Sequence, residues 1–130
     1  MNTTRTPVVF IHGLWLHASS WDPWVDLFTA EGYVPVAPGW PGVPETAELA
    51  RAHPDRIAGY GIEEVTTHYA DIIGKLSARP VIIGHSFGGM IAEKLLGEEV
   101  GVAAIAIDAA QFKGVLPMPL SALLSTLPVF

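Results

Sequence analysis

The 130-residue sequence contains no cysteine, which excludes disulfides, thiolate metal sites and a cysteine nucleophile and leaves the redox compartment open. Basic residues are scarce, seven Lys and Arg against thirteen Asp and Glu, for a formal charge of −6. They form no cluster, so neither nucleic acid nor an acidic membrane surface is expected as a partner. Long hydrophobic runs are missing too: none approaches the roughly 18 residues of a membrane span. The opening MNTTRTPVVFIHG reaches a histidine too early for a signal-peptide core, and the chain reads as soluble and cytoplasmic. No two histidines stand at metal-ligand spacing and no G-x-G-x-x-G follows a strand, so neither a metal nor a dinucleotide cofactor is expected.

What is present suits one domain, since half of the residues are hydrophobic. Four short apolar runs, at 7–12, 33–37, 80–84 and 102–108, are continuous rather than alternating, as in parallel strands covered on both faces. Helical stripes separate them. Trp21, Trp24, Val25, Leu27 and Phe28 share one face over 21–30, with Asp22 as N-cap and Pro23 at the first helical position. Ile62, Val65, Tyr69, Ile72, Ile73 and Leu76 mark a second helix over 62–76, and a third is expected from Phe87 to about Leu96, ending near Gly97. The connection 38–61 opens with the turn-rich PGWPGVP and has room for one short helix around Thr46 to Arg51. Alternating strands and helices predict an α/β fold, an open, mostly parallel sheet of about four strands with helices on both faces.

The chemistry concentrates at residues 84–88, GHSFG, a G-x-S-x-G motif with a strand before it and a helix after it. A strand turning directly into a helix forces its central residue into a strained conformation, and side chains at Gly84 and Gly88 would crowd the turn. Ser86 is thereby presented at the carboxyl edge of the sheet and the amino end of a helix. There the amide of Phe87 faces an oxyanion on any acyl carbon that Ser86 attacks. A second donor is expected from FIHGLW at 10–15, where His12 ends a strand and Gly13 frees the backbone to turn: the amide of Leu14, or as second choice that of Trp15.

VVFIHGLWLHASSWDPW, PGWPG and PVIIGHSFGG together resemble the amino-terminal half of an α/β-hydrolase, a superfamily of esterases, lipases, C–C hydrolases and cofactor-free haloperoxidases. The resemblance covers about residues 7–110 and implies Ser86 as nucleophile, with Phe87 and Leu14 supplying oxyanion amides behind the His12–Gly13 pair. It also implies a triad in the order Ser, acid, His, with a late histidine. Here none follows His85; the five are His12, His17, His53, His68 and His85. His85 cannot serve its neighbour, because adjacent strand residues project to opposite sides, and it is expected to pack under the elbow. His12 is expected to orient the oxyanion loop; His17, in the same loop, is expected as a solvated residue, with a substrate contact as the alternative, and His53 and His68 are expected at the surface. Asp108, ending the fourth strand, is either the triad acid or a turn cap.

Residues 1–110 are therefore expected to form the amino-terminal half of a hydrolase core, and 111–130 the entry to a lid, with the chain cut short of the rest. The expected function is serine hydrolysis of an ester or related acyl compound, with full activity needing a histidine this chain lacks. Trp15, Trp40 and Met90 fall near the expected pocket with Leu14, Leu16 and Phe87, and suggest a small apolar substrate; core packing accounts for at least half of them equally well. The alternative is a small-molecule binding or interaction protein that keeps the scaffold without turnover. The oligomeric state is left open.

Overall fold

A computed structural model describes residues 5–115, 119–121 and 124. Its sheet has four parallel strands, β1 (Pro7–Ile11), β2 (Val34–Val36), β3 (Val81–His85) and β4 (Ala103–Ile107), in the order β2-β1-β3-β4. The helices are α1 (Asp22–Ala30), α2 (Ala47–Ala52), α3 (Ile62–Ile73) and α4 (Phe87–Gly97), with 3-10 turns at Ala18–Trp21 and Pro54–Arg56.

The two faces follow from strand alternation. On β1, Val9 and Ile11 point to one side and, with Ile82 of β3, pack against Val65, Tyr69 and Ile73 of α3 and Ile91, Ala92 and Leu95 of α4. Val8 and Phe10 point to the other, where Trp21, Val25 and Phe28 cover them together with Ile83. Phe10 is held by Trp21 at 4.9 Å and, edge to face, by Phe28 at 5.3 Å between ring centroids. Burying one such side chain contributes on the order of 1.5–3 kcal/mol, so these clusters fix the register of the central strands. Each strand of that pair is locked to the other from Val8↔Val81 to Ile11↔Gly84.

Three details depart from the sequence expectations. Asp22 is the first residue of α1 rather than its cap; the preceding 3-10 turn occupies the capping position with Trp21 and moves Pro23 to the second helical position. The connection 38–61 holds α2, capped by the Thr46 hydroxyl that accepts from the Leu49 amide at 3.2 Å, and additionally the turn Pro54–Arg56. Finally, β4 is not covered on both faces. Ile105 is 50 % exposed although it pairs with Ile83, because α1 packs toward the β2 side of the sheet, while α4 covers the opposite face of β4. A continuous apolar run does not distinguish a central strand from an edge strand. Most of the 111–130 segment assigned to a lid lies outside the described residues.

Candidate active site

The chain leaves β1 for β2 in one direction along the sheet and β3 for β4 in the other, so the carboxyl ends of β1 and β3 flank a topological switch point. Open α/β sheets bind ligands in that crevice. Residues 12–16 leave β1 on one side of it, and Ser86 joins β3 to α4 on the other.

Ser86 has φ 56° and ψ −121°, a conformation that side chains seldom adopt. Its amide donates to the Ile107 carbonyl and its carbonyl accepts from the Ala110 amide, both at 3.0 Å, so the end of β4 pins the turn. Two glycines make the turn possible. A Cβ on Gly84 would fall on the Gly88 carbonyl, and one on Gly88 would strike the Ile11 and His12 carbonyls of the neighbouring strand end. Gly89, unflagged by the motif, is constrained less severely, since a Cβ there would come within 2.9 Å of that of Ala109. Gly13 closes the crevice, because a methyl group on it would lie 3.1 Å from the Ser86 Cβ. Phe87, first residue of α4, has an amide with no acceptor inside the helix.

His12 is 2 % exposed and locked between two loops. Its Nδ1–H donates to the Gly13 carbonyl at 2.9 Å, and Nε2 accepts from the Trp40 amide at 3.3 Å. The Trp40 indole N–H returns a bond to the His12 carbonyl at 2.9 Å, and the rings stack with centroids 5.7 Å apart. Only the neutral Nδ1–H tautomer satisfies both ring bonds. Burial holds its pKa below the usual 6.5, outweighing the opposing effect of the Gly13 bond, and His17 depresses it further.

The remaining histidines are also placed. His17 is not a solvated loop residue: its Nδ1 accepts from the Ser19 amide at 3.1 Å and its Nε2–H donates to the Pro44 carbonyl at 3.0 Å. His68 is half-buried rather than at the surface, and its Nε2–H donates to the Gly39 carbonyl at 2.9 Å. Both tie residues 39–44 to the domain, a long-range partnership that no helical periodicity reveals. His53 is exposed, and the half-buried His85 ring lies against Gly13 and lines a cavity beside Trp21.

Asp108 is exposed, with φ 44°, immediately after β4 and between the two residues that bond the Ser86 backbone. Its carboxylate makes no hydrogen bond or ion pair among the described residues. A cavity of about 330 Å³ opens beside the 12–16 loop, lined by Gly13, Leu14, Trp15, Trp40, Ile57 and Tyr60 among others. Met90 is buried in the first turn of α4, away from this lining. No group of three or more metal-ligating side chains occurs among the described residues, and none of their helices is long and apolar enough to cross a membrane.

The parallel sheet, the strand–turn–helix around Ser86 and the facing loop after β1 define an α/β-hydrolase architecture. The chain belongs to the alpha/beta hydrolase family, whose model matches residues 8–130. Among solved structures it is similar to a pyrethroid hydrolase from Sphingobium faniae JZ-2, at TM-score 0.65 and 24 % identity, over 89 % of this chain and 47 % of that one. A monoacylglycerol lipase from Paleococcus ferrophilus matches at TM-score 0.68 and 23 % identity, over 92 % and 45 %. An extracellular alpha/beta-hydrolase from a Paenibacillus species matches at TM-score 0.64 and 20 % identity, over 92 % and 49 %. The chain thus spans less than half the length of each of these structures. A search of curated protein sequences found no match.

Proposed function

We infer that this chain carries the nucleophile half of a serine hydrolase that acts on carboxylic esters or related acyl compounds. The observation that supports this most directly is Ser86 at positive φ between β3 and α4, with Gly13 packed against its Cβ. Ser86 Oγ attacks the acyl carbon, and the carbonyl electron pair moves onto oxygen, where the amides of Phe87 and Leu14 receive it. Collapse of that intermediate expels the alcohol, which takes up the proton lost by Ser86, and leaves an acyl-serine ester for water to cleave.

The proton carrier is a group that this chain does not supply. His12, His17 and His68 are committed to backbone partners, His53 is exposed, and the alternation of adjacent strand residues argues against His85 as the base of its neighbour. Asp108 is our candidate to hold such a carrier, a reading supported by its position at the strand end that pins Ser86. The same commitment of the histidines favours a second reading, a binding protein that retains the scaffold without turnover.

Labelling separates the two. Incubation with a fluorophosphonate, with and without added imidazole as a diffusible base, is expected to modify Ser86 slowly, and faster as imidazole rises. Peptide mass mapping locates the adduct, and Ser86→Ala abolishes it. No adduct at any imidazole concentration would overturn the hydrolase reading and leave the binding one.

A further inference from the structure

The cavity beside the 12–16 loop has a second wall, residues 54–60, that no sequence motif flags. We propose that this wall and the loop form a subsite for a compact, uncharged apolar arm of the ligand, with Ile57 and Tyr60 limiting its size. The assignment of that arm to an ester substrate rests on the hydrolase reading above.

Three observations carry it. First, the described lining has no carboxylate, lysine or arginine, its one histidine is neutral, and both His12 ring nitrogens and the Trp40 indole N–H are already hydrogen-bonded. A charged arm would find no counter-charge there and would lose its hydration. Second, the volume of about 330 Å³ sits at the low end of the roughly 300–1,000 Å³ of small-molecule sites, which suits a single ring or short branched group rather than a long acyl chain. Third, the wall is held in place before any ligand arrives. Gly42, at φ 75°, lets residues 40–43 close onto Arg56 and Tyr60, where a Cβ would strike the Arg56 carbonyl and come within 3.2 Å of Tyr60 Cε2. The His17 bond to Pro44 fastens the same connection to the 12–16 loop. A preformed wall selects by size because yielding to a larger group would break these contacts.

The subsite also adjoins the nucleophile. Ser86 itself does not line the cavity, but Gly13 does and is packed against Ser86, which leaves a path along Gly13 and Leu14 for one arm of a group held at Ser86.

The experiment uses unreactive ketones, which need no turnover: benzylacetone and a long linear alkyl ketone, titrated against the 130-residue chain by tryptophan fluorescence and amide chemical shifts. Benzylacetone is expected to bind, with shifts centred on Trp15, Trp40 and Tyr60, and the linear ketone to bind at least about tenfold more weakly, a difference of about 1.4 kcal/mol. Ala58→Trp fills the cavity and should weaken benzylacetone at least about tenfold, and Ile57→Phe, a milder change, should act in the same direction. The double change Ile57→Ala with Tyr60→Ala should narrow the preference between the ketones. Unchanged affinity in folded Ala58→Trp and Ile57→Phe, or shifts centred on Trp21 and Trp24, would overturn the proposal. An unlabelled Ser86 in the fluorophosphonate experiment with normal ketone binding sinks the hydrolase reading alone, and a labelled Ser86 with no ketone binding sinks the subsite alone.

Discussion

At Ser86 the backbone carries strain that a side chain makes costly, of order 1–3 kcal/mol at such φ and ψ values. Glycine at this position removes the strain and adds about 0.5–1 kcal/mol of unfolded-state entropy, so strain relief is the larger effect. Ser86→Gly is therefore expected to raise the urea midpoint by the equivalent of about 1 kcal/mol, whereas Ser86→Ala keeps the Cβ and gains nothing. Equal midpoints for the two variants would show that the turn is relaxed in solution. His12 gives the opposite sort of residue, one stabilised by staying neutral. Because its folded pKa is depressed, the unfolded chain binds the proton more readily, and acid favours unfolding. Stability is fully present above the ordinary value near 6.5 and declines as pH falls through it. A series of urea midpoints against pH should show this step in the native chain and a flatter profile in His12→Gln.

Among the elements, α4 bears the most on the site, since it packs against β1, β3, β4 and α3 and begins at the nucleophile turn. Its glycines are not equivalent. Gly88→Ala drives a methyl group into the Ile11 and His12 carbonyls and is expected to cost about 3 kcal/mol or more, at or past the top of the usual overpacking range. Gly97→Ala, in the last turn with open space around it, should be neutral or stabilise by up to about 1 kcal/mol. Thermal melts of the pair test this directly; similar losses would mean that α4 shifts to make room. The contrast also shows what the sequence could convey. GHSFG announced its own turn because a strand, three small or flexible positions and a helix are local features, and the four strands and three main helices are likewise local patterns. Gly13 against Ser86, Trp40 against His12, and His68 against Gly39 join residues 28 or more positions apart, and periodicity holds no record of such pairs. The wall at 54–60 was hidden for the same reason: Gly42 reads as a turn residue, and only its approach to Arg56 and Tyr60 gives it a role.

Over the whole molecule, cover is uneven. The central strands are enclosed on both faces, but among the described residues the outer edge of β4 has no strand partner and Ile105 is half exposed, with Val102 53 % exposed beside it. Near the same end, Trp21 buries an indole N–H that has no hydrogen-bond partner among the described residues. An apolar, unpaired edge templates further strand pairing. The isolated chain is expected to self-associate as concentration rises, and Ile105→Lys should suppress this in light scattering while leaving the far-ultraviolet circular dichroism unchanged. Self-association undiminished in that variant would point to another surface. The His12–Trp40 clasp has a different consequence. Two amide-bearing loops that emerge from separate strands share two hydrogen bonds and a ring stack. Neither can swing open without breaking bonds that the other needs, so the approaches to Ser86 after β1 and β2 fluctuate as one body, with a single opening lifetime instead of two.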